Sequence, residues 1–458
     1  MPLKKNPFTD SLSLKNIYFN KTELSGACLD RLIDSCAGKF ISYTGSNSPF
    51  VYIYGYNHPK TLIGYLAAIR AGKIAVLIDP VTKDLELSEL FSSAPPFGVV
   101  KPQLLNTDFD FSTDVFFKTG SVTSEIADQL QDVCTMVFTA AEDGYLKGAM
   151  LSKDNLIQNA IGIMEGSQVS SADRICSLLP FHHLYGLQTG LLVPAISGGS
   201  AIVIDIADLR VIKSMLLELE RACATQLYTV PVMYYLMLTD IASSKNALKN
   251  NPVCVSGGCK LSDKIFSGFR DKIGIDLREG YGLTEASPVC TFNQVGSAAR
   301  QGSIGRAQSC CEVEIVDKNG KTCTSLETGE IRVKGPIVMK GYYKNSEITK
   351  RTVRDGWLYT GDLGYRDEDG FFYYTGLKKR MLNVGGKNVY PAEVERLMKL
   401  QGNVKGVTVF AGPSRVMGDT VEATVELHCK GSQEEDEFRK WCSENISSFK
   451  IPKIIRYI

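Results

Sequence analysis

Charge of one sign, histidine and long apolar runs are what this chain has little of. Lys plus Arg number 51 against 50 Asp plus Glu, a net charge of +1 over 458 residues. That balance excludes the basic footprint of a general nucleic-acid binder. The four histidines, His58, His182, His183 and His428, are too scattered for a zinc framework. The longest apolar tract, residues 187–207, is broken by Pro194, Gly198, Gly199 and Asp205 and falls short of a membrane span. Lys4 and Lys5 are followed by no apolar stretch, so no secretory leader is expected. None of the 13 cysteines falls in a C-x-x-C pair. They are expected to be buried apolar thiols in a reducing cytoplasm, not disulfides or metal ligands.

What is present is ordinary globular composition, 44% hydrophobic and 22% charged, in a chain long enough for about three lobes at roughly 150 residues each. Residues 62–79, LIGYLAAIRAGKIAVLID, read as a helix, a stop at Gly72 and a buried strand. Residues 133–139 form a second strand, and a helix opens after Leu151-Ser152-Lys153-Asp154. The alternation continues with strand 201–206, helix 208–222 and strand 225–230. Such alternation predicts an α/β fold with largely parallel sheets. From about 312 to 376, EVEIVD, GEIRVKG and GFFYYTG with glycine turns predict a small antiparallel β unit. VTVFAG, VEATVELHC and a charged helix near Gln433 predict a compact α+β lobe at the end.

Five blocks carry chemistry. Thr139-Ala140-Ala141-Glu142-Asp143-Gly144-Tyr145-Leu146-Lys147-Gly148 is a glycine-permitted turn after a strand, the setting in which backbone N–H groups cradle phosphate. Pro180-Phe181-His182-His183-Leu184-Tyr185-Gly186 holds paired histidines. Ser256-Gly257-Gly258-Cys259-Lys260-Leu261 precedes Glu279-Gly280-Tyr281-Gly282-Leu283-Thr284-Glu285. Trp357-Leu358-Tyr359-Thr360-Gly361-Asp362 follows, and then Gly376-Leu377-Lys378-Lys379-Arg380 with Gly385-Gly386-Lys387-Asn388-Val389-Tyr390-Pro391-Ala392-Glu393.

In this order, from about residue 50 to the C-terminus, these blocks resemble the adenylate-forming superfamily: acyl-CoA synthetases, peptide-synthetase adenylation domains and luciferases. The resemblance implies a large N-terminal domain of layered α/β subdomains with a small β-rich unit, residues 1–376. It implies a small mobile α+β C-terminal domain, 377–458, hinged near Lys379. Thr139, Gly144, Lys147 and Gly148 match a phosphate loop of pattern Y-T-S-G-T-T-G-x-P-K-G, in which Ala140, Ala141, Glu142 and Asp143 replace Ser-Gly-Thr-Thr. His183 matches the histidine that borders the acyl carboxylate. Gly257, Gly258, Cys259, Tyr281 and Gly282 match the adenine bed, Thr284 the phosphate donor and Glu285 the Mg²⁺ ligand. Asp362 matches the ribose carboxylate, and the arginine that would support the ribose is Leu377 here. Gly385 and Gly386 match the pantetheine channel, and the aromatic stretch Tyr228–Tyr235 falls near the acyl pocket.

The resemblance thus implies ATP with Mg²⁺, a small carboxylic acid, and CoA or the phosphopantetheine of a carrier protein. Three positions depart from the pattern, and each touches the ATP half-reaction. Glu142 and Asp143 put carboxylates where phosphate binds, at about 1 kcal/mol of repulsion each in water and about 4 kcal/mol at an effective dielectric near 20. Leu377 replaces the ribose arginine. The sequence ends at Phe449-Lys450-Ile451-Pro452-Lys453 and five further residues, where the superfamily continues to a loop with a catalytic lysine; on this reading the small domain is truncated. Two expectations follow. One is an acid–CoA or acid–carrier ligase with a weakened or lost adenylation step. The other is a non-catalytic accessory protein for a carrier protein or its modifying enzyme in a biosynthetic pathway.

Overall fold

A computed structural model describes residues 12–19, 22–102, 114–140, 144–205, 212–377, 381–385, 387–413, 419–429 and 431–458. Ala141, Glu142, Asp143, Lys379 and Gly386 lie outside the described residues, as does the side chain of Ala140. The architecture is mixed α/β, with a large N-terminal part and a smaller C-terminal one.

The helix expected before Gly72 runs Pro59–Arg70. Proline opens it, and the His58 ring accepts the Lys60 N–H at its N-cap. Every residue from Pro59 to Ile69 is buried, including Lys60, whose ammonium meets Asp114 at 2.8 Å with both side chains fully buried. Gly72 turns the chain at φ +71°, and the wholly buried strand Ile74–Ile78 follows. It pairs in parallel with Phe50–Tyr54 and Val133–Ala140, and the ladder continues through the antiparallel strand Leu146–Ser152. A second sheet has a parallel centre of Ser200–Ile202, Arg174–Ser177, Gln226–Thr229, Val253–Ser256 and Leu277–Gly282. Its margins are antiparallel, through Thr22–Ser25 on one side and Val289–Phe292 on the other. The sheets are therefore parallel only at their centres.

The helix Lys153–Ser167 lies between the layers. Ser152 caps it, accepting from Asn155 N–H at 3.1 Å. From its buried face the Asn159 amide bonds the carbonyls of Ala286 and Val289, and Gln188 bonds those of Leu156 and Ser287. Asn155 reaches the Pro336 and Val338 carbonyls of the β unit. These amides fix the segment Thr284–Val289 from behind.

The expected β unit is a sheet ordered Glu312–Val316, Gly329–Lys334, Trp357–Arg366, with Phe372–Leu377 on the last of these. A separate core, from Leu382 to Ile455, belongs to the C-terminal part. There Val404–Pro413 and Asp419–Leu427 pair antiparallel, Ile454–Tyr457 adds in parallel, and the helices Pro391–Met398 and Ser432–Asn445 cover them.

Strand Ser200–Ile202 is shorter than the sequence pattern suggests; Val203 and Ile204 are buried but lie beyond it. All 13 cysteines are free thiols; six are buried, six partly exposed, and Cys429 is exposed. Burial of cysteine is thus half of the pattern, not the rule. Among the described residues, no helix is long and apolar enough to cross a membrane.

Candidate functional site

The motifs, spread over more than 200 residues of sequence, meet where the two sheets, the β unit and the C-terminal part come together. Thr139 stands at the end of strand Val133–Ala140, paired with Lys147, and Gly148 pairs with Phe138. Between them Gly144 has φ +79°, and a Cβ there would sit 2.7 Å from the Ala392 carbonyl. Glycine is thus required for backbone geometry and for contact with the helix Pro391–Met398. Lys147 Nζ lies 5.5 Å from the centre of the Tyr342 ring, and the Tyr342 hydroxyl donates to Glu285 Oε1 at 2.7 Å. Lys147 and Glu285 are therefore joined through Tyr342, a residue no motif indicated. Burial and the adjacent Glu285 carboxylate raise the Tyr342 hydroxyl pKa, so it stays a donor.

Strand Leu277–Gly282 delivers Tyr281 and Gly282, and Thr284–Ala286 forms a 3₁₀ turn directly after it. The Tyr281 hydroxyl donates to Asp362 Oδ2. Leu377 is the cross-strand partner of Asp362, so an apolar side chain occupies the ladder position opposite this carboxylate. Gly257, Gly258 and Cys259 follow strand Val253–Ser256. Their loop is tied to the next strand by Leu261 N–H donating to Glu279 Oε1 at 2.8 Å.

Glu279 is buried, and burial pushes its carboxyl pKa up to about 7. Its raised folded-state pKa makes the proton a stabilising ligand. The stability it carries is fully present below about pH 4.5 and lost as pH rises through about 7. Glu279→Gln keeps an acceptor for Leu261 and removes this loss. At pH 8 the variant is expected to exceed the wild type by about 2–3 kcal/mol in chemical denaturation, with little difference at pH 5.

His183 occupies the N-cap position of the short helix Leu184–Leu187, and its side chain makes no capping hydrogen bond. Its Nε2 is buried without a hydrogen-bond partner. Burial and the neighbouring His182, 4.5 Å away ring to ring, hold its pKa well below the usual range, so it is neutral. His182 faces elsewhere: Nε2 is 3.2 Å from Asp79 Oδ2, and Nδ1 is 3.3 Å from the Gly55 carbonyl. Asp79 also pairs with Lys387. Burial acts to raise the Asp79 carboxyl pKa, but His182 and Lys387 bring it well below the carboxylate range.

The C-terminal part closes over these groups. Its hairpin Leu382–Val384 and Lys387–Val389 carries Asn383, whose amide donates to the Gly258 carbonyl at 2.9 Å and accepts the Cys259 thiol at 3.0 Å. Gly385 makes the turn of this hairpin at φ +60°. Arg396 pairs bidentately with Glu89 at 2.6 and 2.8 Å and donates to the Gly144 carbonyl. Asn383, Asp79 and Tyr342 were not identified from the sequence, although Asn383 stands two residues before the paired glycines. Of the stretch Tyr228–Tyr235, Tyr228 lines a cavity beside the glycine loops, whereas Tyr234 is a core residue bonded to the Leu227 and Val255 carbonyls.

Residues 9–343 match the model of the family described as AMP-binding enzyme. The chain is 29% identical over 459 residues to a long-chain-fatty-acid–CoA ligase of Bacillus subtilis (strain 168), covering 88% of this chain and 80% of that one. It is 29% identical over 417 residues to a feruloyl-CoA synthase of an Amycolatopsis species, covering 88% and 83%. In fold it is similar to o-succinylbenzoate CoA synthetase of Bacillus subtilis bound with a product analogue, OSB-NCoA. The TM-score is 0.85 at 22% identity, over 99% of this chain and 94% of that one. The family match covers both large sheets and the blocks from Thr139 to Glu285, and on that extent the chain belongs to the AMP-binding enzyme family.

Proposed function

We propose that the protein is an acid–CoA ligase in which adenylation is the weakened half-reaction. In this scheme the acid carboxylate attacks the α-phosphate of ATP to give an acyl-adenylate and pyrophosphate. The CoA thiol then displaces AMP. Gly257, Gly258, Cys259, Tyr281 and Gly282 bed the adenine, and Asp362 accepts from the ribose. Thr139, Gly144, Gly148, Lys147 and Thr284 hold phosphates. His183, neutral and with Nε2 unpartnered, donates to the acid carboxylate as the Nε2–H tautomer. Glu285 offers a carboxylate of which Tyr342 uses one oxygen, and Thr284, the residue before it, supplies a hydroxyl. This oxygen set fits Mg²⁺, which would offset phosphate charge. Residues 1–376 and 377–458 act as two units, hinged at Lys379, with Gly385 and Gly386 lining the pantetheine path.

The observation that carries the reading is Asn383 bonded to Gly258 and Cys259. It supports the reading by tying the hairpin 382–389 to the glycine loop that this reading takes as the nucleotide bed. Glu142 and Asp143 favour a second reading, a non-catalytic accessory protein that keeps the pantetheine groove for a carrier-protein partner. Carboxylate-dependent ATP–pyrophosphate exchange separates the two. The ligase gives slow exchange above background and an ATP-dependent rise in melting temperature. Background exchange with no thermal response to ATP rejects it.

A further inference from the structure

Cys310 and Cys311 are the one pair among the 13 cysteines adjacent in sequence, and the scheme above uses neither. They close a turn in which Cys311 N–H donates to the Gln308 carbonyl at 3.2 Å. Both are partly exposed, whereas Cys290 behind them is buried. The Cys290 carbonyl accepts twice from this turn, from Gln308 N–H at 3.0 Å and from the Cys311 thiol at 3.3 Å. The Cys310 thiol donates to Gln308 Oε1 at 3.6 Å. It lies against helix Lys153–Ser167, where a Cβ on Gly162 would come 2.7 Å from its sulfur. The Cys311 side chain also hydrogen-bonds to Cys310, which brings the Cys310 pKa below the usual thiol value and raises that of Cys311. The thiolate is the reactive form of cysteine. Cys290 differs: burial raises its pKa well above the usual thiol value, so it stays an inert thiol.

We propose that Cys310 and Cys311 are a reversible dithiol–disulfide site, oxidised by hydrogen peroxide, whose closure loosens the strand Val289–Phe292. The Cys310 thiolate attacks one peroxide oxygen. An S–O bond forms, the O–O bond breaks, and the departing hydroxide takes up the proton that Cys310 released. The Cys311 sulfur then attacks the sulfenic sulfur. An S–S bond forms, the S–O bond breaks, and the second hydroxide leaves as water with the Cys311 proton. Two thiols and one peroxide thus give one disulfide and two waters, with two electrons passing from sulfur to oxygen. Adjacent α-carbons stand about 3.8 Å apart, closer than the roughly 4.4–6.8 Å of an ordinary disulfide, so the bond is strained and easily reduced by a thiol. Closing it turns the Cys311 sulfur toward Cys310 and takes the thiol donor from the Cys290 carbonyl. Cys290 lies in Val289–Phe292, which pairs with the strand bearing Gly280, Tyr281 and Gly282. Oxidation therefore reaches the nucleotide bed, a consequence that rests on the proposed ligase reading; the disulfide itself does not.

The full chain, reduced and then exposed to hydrogen peroxide, is alkylated and digested with trypsin. Cleavage after Arg306 and Lys318 isolates residues 307–318, which contain these two cysteines and no other. This peptide is expected to lose two hydrogens and escape alkylation, and dithiothreitol to restore both thiols. Amide exchange in Val289–Phe292 is expected to quicken, and AMP affinity to fall by about two- to ten-fold, the worth of one hydrogen bond. Cys311→Ser keeps a donor for the Cys290 carbonyl. It is expected to stop at a Cys310 sulfenic acid and to hold both readouts constant, with melting temperature checking that it folds. Oxidation at Cys429 or Cys259 while Cys310 and Cys311 are still alkylated overturns the site, as does a cross-link from 307–318 to another peptide. A disulfide with unchanged exchange in Val289–Phe292 overturns the loosening. A disulfide with faster exchange, in a protein that binds no AMP when reduced, rejects the ligase reading alone.

Discussion

Lys450→Met lowers the free energy of unfolding by about 3–5 kcal/mol, the cost of leaving a buried charge without its counter-ion. Lys450 Nζ is 2.6 Å from Glu86 and 2.8 Å from Glu393, and the two carboxylate side chains are 4% and 2% exposed. Ser447 donates to the same Glu86 from both its backbone N–H and its hydroxyl. Burial acts to lower the Lys450 pKa, but the two carboxylates raise it on balance, so the ammonium stays charged. Removing it leaves two carboxylates facing each other across a buried space. The effect is larger than for an exposed pair such as Lys440–Glu444, whose side chains are 73% and 58% exposed and which is worth about 0–1 kcal/mol. Glu86 lies on helix Asp84–Ser93 of the large part, so the same contact joins the two parts. The triple variant Lys450→Met, Glu86→Gln, Glu393→Gln is expected to recover most of the loss. Urea denaturation measures both, and a change below about 1 kcal/mol for Lys450→Met would contradict the assignment.

Replacing Glu142 and Asp143 with threonine raises ATP affinity by up to about a thousand-fold per close contact, if each carboxylate approaches a phosphate charge at the strength expected of a partly shielded site. The two threonines also restore hydroxyl donors. On either side of them, Thr139 and Ala140 end one strand, and Gly144 has φ +79° ahead of the strand Leu146–Ser152. The readouts are ATP affinity by calorimetry and the pyrophosphate exchange rate, compared with unchanged AMP affinity. AMP lacks the β- and γ-phosphates and controls for damage to the adenine bed. Unchanged ATP affinity would show that these carboxylates do not face the phosphates, and the proposed cause of slow adenylation would fall with it.

The legible parts of this molecule were those decided locally. Pro59–Arg70, Gly72 and Ile74–Ile78 follow from an apolar helical stretch, a left-handed glycine and a β-branched run within 20 residues. Gly257–Gly258, Tyr281 and Asp362 stood out as candidates because each sits in a short block whose residue types suit one task, and the structure brings Tyr281 and Asp362 together. Their partners were not. Tyr342 meets Glu285 across 57 positions, Asn383 meets Gly258 across 125, and Lys387 meets Asp79 across 308. Nothing within a window of sequence encodes those distances; the packing of segments far apart in the chain produces them.

The most direct test supplies the acyl-adenylate ready made. Full-length protein is mixed with chemically prepared aroyl- and fatty acyl-adenylates plus CoA, and thioester formation is compared with the rate from the free acids, ATP, Mg²⁺ and CoA. A ligase whose adenylation is the weakened half-reaction makes thioester from at least one adenylate about ten-fold or more faster than from the corresponding acid, a barrier difference of about 1.4 kcal/mol or more. Equal rates by the two routes would contradict the claim that adenylation limits the reaction, and no thioester from any adenylate would contradict the ligase itself.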